Sequence, residues 1–251
     1  MTLGQILQRN QVRMLALERQ EQAEFMRRFR EARLDLLDKL SYLPADRFTA
    51  QHYRVILIQM EQSIMALQCN LRTVLIDGTE IVGNAAISHA AQEIERFRAQ
   101  FEGTVRPIDI DRTRILMRSE NILMNRYEVS IRTYGHEMIN RMQAELVKGI
   151  VMNEFTNDVI RRILKQGGIF QEQQFRAARI VRTELNHAYN LHHFESYQEV
   201  KAAEIPDLKK KWLAHIDDRT GDDSIRLNGQ VRELSAMFTD PGTGRSFLHP
   251  P

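Results

Sequence analysis

Cysteine occurs once in this sequence, at Cys69, so the chain can close no internal disulfide and build no thiolate metal cluster of its own. Such usage calls for no oxidising compartment, and a reducing cytosol suffices for assembly. No uninterrupted apolar stretch approaches the roughly eighteen residues that span a bilayer. The N-terminal MTLGQILQRNQVR lacks the basic, apolar, small-residue order of a signal peptide. The expectation is a protein that is neither secreted nor membrane-spanning. Proline (6) and glycine (12) are scarce in 251 residues, while Leu, Ile, Met, Glu, Gln and Arg, which lose little free energy in helices, are abundant. An excess of one charge is also lacking: 35 basic against 33 acidic residues leave +2, so no overall field draws the chain onto nucleic acid.

What is present is a helical protein long enough to bury a core in one large or two small domains. Leu3 to Leu40 reads as one helix, ended by Ser41-Tyr42-Leu43-Pro44 because the residue before a proline leaves the α region. Within it, Arg27, Arg28, Arg30 and Arg33 are interleaved with Glu24, Glu31 and Asp35, the pattern of a solvated face laced with i,i+4 pairs. A second helix starts after Asp46 with a stripe at Tyr53, Leu57, Met60, Ile64, Leu67, Leu71 and Val74, which packs on a partner helix of the same chain. Gly78 and Gly83 interrupt the pattern within a small-residue stretch, where a kink or a close helix approach is expected, and helix resumes through Ile87, Ile94, Phe97 and Phe101.

Gly103 to Asp111 is the first linker, with Asp111 as N-cap of a third long helix that runs to about Phe155. Its apolar positions are Ile115, Ile122, Val129, Met138, Met142, Leu146 and Ile150, and Gly135 is a place to bend. Thr156 or Asn157 caps a short helix, Asp158 to Gln166, closed by Gly167-Gly168. Another helix runs from Gln171 to about Ala203. After Pro206 the texture changes to strands at Lys211–Ile216 and Gln230–Leu234, separated by the polar loop Asp217–Gly229 and followed by a Gly- and Pro-rich tail. The fold expected is mainly α: a long-helix region over 1–155, then a small α+β domain over 156–251 with a short antiparallel sheet.

The densest polar cluster is His215-Ile216-Asp217-Asp218-Arg219-Thr220-Gly221-Asp222-Asp223. Its carboxylates suit a hard divalent cation, but the cluster lacks the ligand spacing and closing glutamate of a calcium loop, so a self-bonded turn is the better reading. His187, His192 and His193 do not align on one helix face as ligands and read as packed or solvated side chains. His136-Glu137-Met138-Ile139-Asn140 has Asn140 where a zinc-protease helix needs its second histidine. No phosphate loop, serine elbow or Cys–His pair is present, and no metal, cofactor or catalytic residue is assigned. The eleven Met residues are spread through the helices as core filler.

The stretch Ala178-Arg179-Ile180-Val181-Arg182-Thr183-Glu184-Leu185-Asn186-His187-Ala188-Tyr189-Asn190, with Tyr197 beyond it, resembles the A-R-T-E helix of the phage Mu F-like head-morphogenesis family. Lys210-Lys211-Trp212, Asp218-Arg219-Thr220, Leu227-Asn228-Gly229-Gln230, Phe238 and Pro250-Pro251 follow in that family's order, over about 158–251. The resemblance implies a minor head protein of the virion, assembled in the host cytoplasm, with the portal and other capsid proteins as partners and, in some members, packaged DNA. It also implies an oligomer within the particle, no membrane partner, and motif residues at Arg182, Thr183, Glu184, Asn186, Asn190, Tyr197, Trp212, Asp217, Asp218, Arg219, Thr220, Gly229 and Gln230. Many members carry Cys or His after the R-T pair, where Gly221 and Ser224 stand here, which argues against zinc.

A physical role for these residues is an ion-pair clamp. Arg182 and Glu184 on the helix are complementary to Asp217, Asp218 and Arg219 in the loop, and would dock the β unit with Trp212 packed over the junction. The competing expectation is a metal-dependent hydrolase acting on DNA or peptide bonds through Asp217, Asp218, Asp222 and Asp223, with Glu184 or His215 as base.

Overall fold

The computed structural model describes residues 2–102, 107–165, 167–214 and 220–247. Five helices come first: α1 (Leu3–Ser41), α2 (Ala50–Glu102), α3 (Arg112–Val151), α4 (Thr156–Leu164) and α5 (Ile169–Ala203). They are followed by β1 (Lys209–Lys211), α6 (Asp222–Leu227), β2 (Val231–Glu233), β3 (Phe238–Thr239) and β4 (Ser246–Phe247). The chain is mainly α, as expected, and none of its described helices is long and apolar enough to cross a membrane. Among the described residues the strands form two short antiparallel sheets, β1 with β2 and β3 with β4, with Lys210 opposite Arg232 and Thr239 opposite Ser246.

One burial rhythm runs through the four long helices. Among the buried positions, those on this rhythm are Asn10, Met14, Glu18, Glu21, Phe25 and Phe29 in α1, and Ile56, Met60, Ile64, Leu67, Leu71 and Leu75 in α2. In α3 they are Leu123, Tyr127, Ile131, Tyr134, Met138 and Met142, and in α5 Gln173, Ala177, Val181, Glu184, Ala188 and His192. Each series steps by four, four, three, four and four. Eleven residues in three turns is about 3.67 per turn, close to the 3.6 of a straight α-helix. A stripe with this repeat therefore stays on one side of a helix for many turns. At about 1.5 Å per residue, the 53 residues of α2 extend for roughly 80 Å.

The rhythm corrects two expectations. Ile122, Val129 and Ile150 of α3 are exposed, and Ser119, Leu123, Tyr127, Ile131 and Tyr134 take the buried places. In α2 the stripe begins at Ile56, with Tyr53 and Leu57 at its edge. Helix α2 is continuous through Gly78 and Gly83, and the close helix approach expected of this stretch is found at Gly83. A helical glycine costs about 1 kcal/mol against alanine, and at Gly83 the missing Cβ is used: one placed there would sit 2.9 Å from Leu116 and 3.0 Å from the His192 imidazole.

The chain forms two compact units, each discontinuous in sequence. Unit 1 comprises 1–16, 79–121 and 185–251, and unit 2 comprises 17–78 and 122–184. All four long helices contribute to both.

Unit 2 centres on Phe25, Phe29 and Phe170, whose rings meet edge to face with centroids 6.0 and 4.9 Å apart. Its interhelix connections are bonded to each other, because the Phe48 N–H donates to the Glu154 carbonyl and the Thr156 N–H to that of Asp46. Thr156 is thus the first residue of α4 and not its cap. The cap position belongs to Phe155, which offers no side-chain acceptor and instead carries the Arg47 guanidinium 4.2 Å over its ring. The surface pairs of α1 are as expected, with Arg27 bonded to Glu24 and Glu31, and Arg28 to Glu24.

In unit 1, Ile108 and Ile110 tuck the end of the linker against Ile87, Ile94, Ile115 and Val200. Asp111 caps α3 as expected, its Oδ1 accepting the Arg114 N–H at 3.0 Å. The region after α5 is more ordered than a pair of strands and a loop. β1 stops at Lys211, helix α6 lies within the expected loop, and β3 and β4 lie in stretches where the residue pattern suggests no regular structure.

The buried stripe of α3 has a measurable consequence. Met138→Ala should cost about 2–5 kcal/mol, as truncation of a buried Met usually does, whereas Ile122→Ala should stay within about 0.5 kcal/mol of the parent. Urea unfolding followed by far-UV circular dichroism compares the two.

Candidate functional site

Two groups of residues invite a functional reading: the family-like motif pieces, and a buried polar layer in unit 1. Among the motif residues of α5, Arg182 and Thr183 point to solvent while Glu184 is buried. Glu184 takes its partners from α3, since its Oε2 accepts from the Arg126 guanidinium and its Oε1 from the Ser130 hydroxyl at 2.8 Å. Both carboxylate oxygens are thereby occupied inside unit 2. Asn186 and Asn190 are half-buried one turn apart on α5, and Tyr197 follows on the same helix. Asp217, Asp218, Arg219 and His215 lie outside the described residues, so the clamp expected between the Asp217–Thr220 loop and Arg182 falls there too. Thr220 is described and half-buried.

Pro250 and Pro251 also lie outside the described residues, and Trp212, Leu227 to Gln230 and Phe238 meet in one knot. Trp212, Leu227 and Phe238 form its core, with Ala214 and Phe247 packed against them. The indole meets the Phe238 ring edge to face, centroids 5.2 Å apart. The Trp212 backbone N–H donates to the Gln230 carbonyl at 2.9 Å, and its carbonyl accepts the Gly229 N–H at 2.8 Å. Gly229 has φ +85°, a conformation that side chains rarely adopt, which is why a glycine turns the chain there. The Asn228 side chain accepts the Ala214 N–H at 3.1 Å. Lysines fasten the knot to α5. Lys201 donates to Glu233 at 3.0 Å and to the Leu208 carbonyl at 3.3 Å, and Lys210 lies 5.0 Å from the Phe194 ring and 5.1 Å from that of Phe238. Burial pushes the Lys210 amine down to about 8.

Of the acidic loop, Asp222 and Asp223 open α6, and Asp223 is held by Arg226 at 2.7 Å and Arg245 at 3.5 Å. Arg226 also grips Asp240, whose carboxylate accepts from the Gly242 N–H and the Thr243 hydroxyl. The Arg226 guanidinium holds the Asp240 carboxyl far below the usual carboxylate range. Among the described residues, no group of three or more His, Cys, Asp or Glu is placed to hold a metal ion. A groove of about 490 Å³ in unit 2 is lined by α3 and α5, and of its charged residues Arg141 pairs with Glu172 and Arg176 with the neighbouring Glu137.

The second group is one that sequence reasoning missed. Glu93 of α2 is buried with its Oε1 accepting from Asn10 of α1 at 2.9 Å and its Oε2 from the Tyr197 hydroxyl of α5 at 2.5 Å. His193 Nε2 stands 3.1 Å from the same Oε2, near enough for an ion pair but off the line of a hydrogen bond. The Tyr189 ring stacks on His193, and its hydroxyl shares a 2.8 Å hydrogen bond with His89 Nδ1 on α2. Burial pushes the Glu93 carboxyl up, but His193, Tyr197 and Asn10 together outweigh it and hold the group below its ordinary value. Burial raises both tyrosine hydroxyls, with the Glu93 charge adding to the effect. Desolvation lowers His89 to about 4 and His192 to about 4, so both imidazoles are neutral at neutral pH. The available signal was spacing: Tyr189, His193 and Tyr197 recur every four residues on α5, as His89 and Glu93 do on α2. With Asn10, His89, Glu93 and Tyr189 buried and His193 and Tyr197 half-buried, this layer binds three helices together and can take up protons.

The two buried histidines set an acid dependence. Each binds a proton in the unfolded chain near its ordinary value of 6.5 but in the folded chain only near 4. Their contribution is therefore complete above pH 6.5 and is lost as pH falls toward 4, with a slope of up to about 1.4 kcal/mol per pH unit for each imidazole. Denaturation midpoints measured from pH 7.5 to 4 should fall across that window, and His192→Asn should flatten the slope. No protein-family model matches this chain, and it matches no curated protein and no solved structure.

Proposed function

We propose that this chain is an assembly protein of a bacteriophage head, akin to the phage Mu F-like minor head proteins, acting beside the portal and the capsid interior. One observation carries the reading. Motif pieces separated by up to 26 residues, Trp212, Leu227 to Gln230 and Phe238, meet in a single knot in which each supplies packing or backbone bonds. Side chains spent in this way leave the motif a building role. Glu184, the acid of the A-R-T-E stretch, has both oxygens occupied by Arg126 and Ser130, an arrangement that positions helices and leaves no base open to a substrate. Long helices add reach, and the exposed apolar residues along them, Val12, Met65 and Met117 among others, give partner proteins something to bury. Contact with packaged DNA would be secondary in a chain of net charge +2 and would weaken steeply with salt.

The test is assembly. The full-length chain should co-purify with the portal protein, and particles made without it should be defective in head completion or DNA delivery. A chain that neither enters the portal fraction nor alters the particles rules the reading out. Phe238→Ala, which opens the knot, should shift the emission of Trp212, the only tryptophan, to longer wavelength and weaken portal association in the same preparation.

A further inference from the structure

We infer that the polar layer around Glu93 is an acid-operated latch: a proton on the His89 imidazole releases the Leu3–Ala16 stretch of α1 from α2 and α5. Two polar contacts hold that stretch to α2, Asn10 to Glu93 at 2.9 Å and the Arg9 guanidinium to Gln92 at 2.7 Å. The apolar hold is slight, with Ile6 and Met14 its only buried hydrophobic residues. On the α1 side of the layer Asn10 Oδ1 and Arg9 Nε are buried with no hydrogen-bond partner, as His193 Nε2 is on the α5 side.

His89 is 4% exposed and is faced from three helices. Glu93 lies on its own helix, Tyr189 and His193 on α5, and the Arg9 and Arg13 guanidinium groups of α1 are near enough to repel a charge on it. Glu93 is the one anion among these, and its oxygens already serve Asn10, Tyr197 and His193. A proton on His89 therefore adds a buried cation whose desolvation outweighs the attraction of Glu93, and which His193 and the two cations on α1 oppose. Relief comes from moving α1 away and letting water in. Beyond Ala16 the same helix is anchored by Phe25, Phe29, Leu36 and Leu40. It also carries Glu18 and Glu21, whose carboxyls burial pushes up, so acid favours the folded state there. The two halves of one helix should thus respond to acid in opposite directions.

Hydrogen–deuterium exchange on the full chain, corrected for the intrinsic pH dependence, tests this. With His89 moving from about 4 to 6.5 on release, opening of amides in 3–16 should rise by up to roughly twenty-fold between pH 7 and pH 5, while amides in 25–40 do not follow. His89→Gln keeps a partner for Tyr189 but cannot take up the proton, and should abolish the rise. In the unsubstituted protein, the NMR titration midpoint of the His89 ring should coincide with that of the amide opening, a readout independent of how the variant folds. Protection of 3–16 that does not change with pH, an acid response surviving in His89→Gln, or midpoints that differ would each overturn the latch.

Discussion

Each long helix must keep one side buried along its whole length, and the rest of the structure depends on that constraint. A repeat of eleven residues meets it, because three turns at 3.67 residues drift little from the axis of a straight α-helix. The cost is that every position on the stripe is committed to the interior. Where the sequence puts a polar residue there, a partner must be supplied, since a buried group left unpaired loses more than a paired one gains. Glu184 takes Arg126 and Ser130, and Glu93 takes Asn10 and Tyr197. Ser119 and Ser196 return their hydroxyls to carbonyls one turn back, at Ile115 and His192. These polar contacts fix which positions of neighbouring helices face one another, which apolar packing alone constrains weakly.

The same polar residues explain why so much of the fold was legible in the sequence and its rhythm was not. Helix ends followed from local chemistry: Pro44 after α1, Asp111 before α3, and the glycines between α4 and α5. The four-four-three step is invisible to a search for apolar residues because Asn10, Glu18, Glu21, Gln173, Glu184 and His192 stand on it. Ile122 and Val129, apolar and at helical spacing, drew the eye to the wrong face of α3. After Pro206 the strands are two or three residues long, too short for alternation to register, and they exist because neighbouring segments pack on them.

The candidate site was legible in part. Trp212 stands out as an anchor by its size alone, and its neighbours Gly229 and Gln230 were singled out with it. Its ring partner Phe238 was found through the resemblance, not through periodicity. Pairing could not be read from residue type. Arg182 and Glu184 are two apart, which on a helix turns them to different sides, so the acid faces inward to α3 while the arginine faces water. Likewise no pattern in Lys201 or Lys210 says that they, rather than arginine, would fasten the C-terminal knot.

That choice of lysine has a physical sense. A two-stranded sheet of three-residue strands is marginal in water by itself, and the Trp212 core is too small to stand without support. The knot therefore borrows stability from α5 through contacts at its edge. Lys210 can lay its apolar stem along Phe194 and Phe238 and keep a charged end near their rings, which covers the seam more completely than a carboxylate could. Glu233 then receives Lys201 from the helix and Lys209 from the neighbouring strand, so one acid ties sheet to helix and strand to strand. The C-terminal body is in this sense an extension of α5, and its geometry is only as firm as that helix.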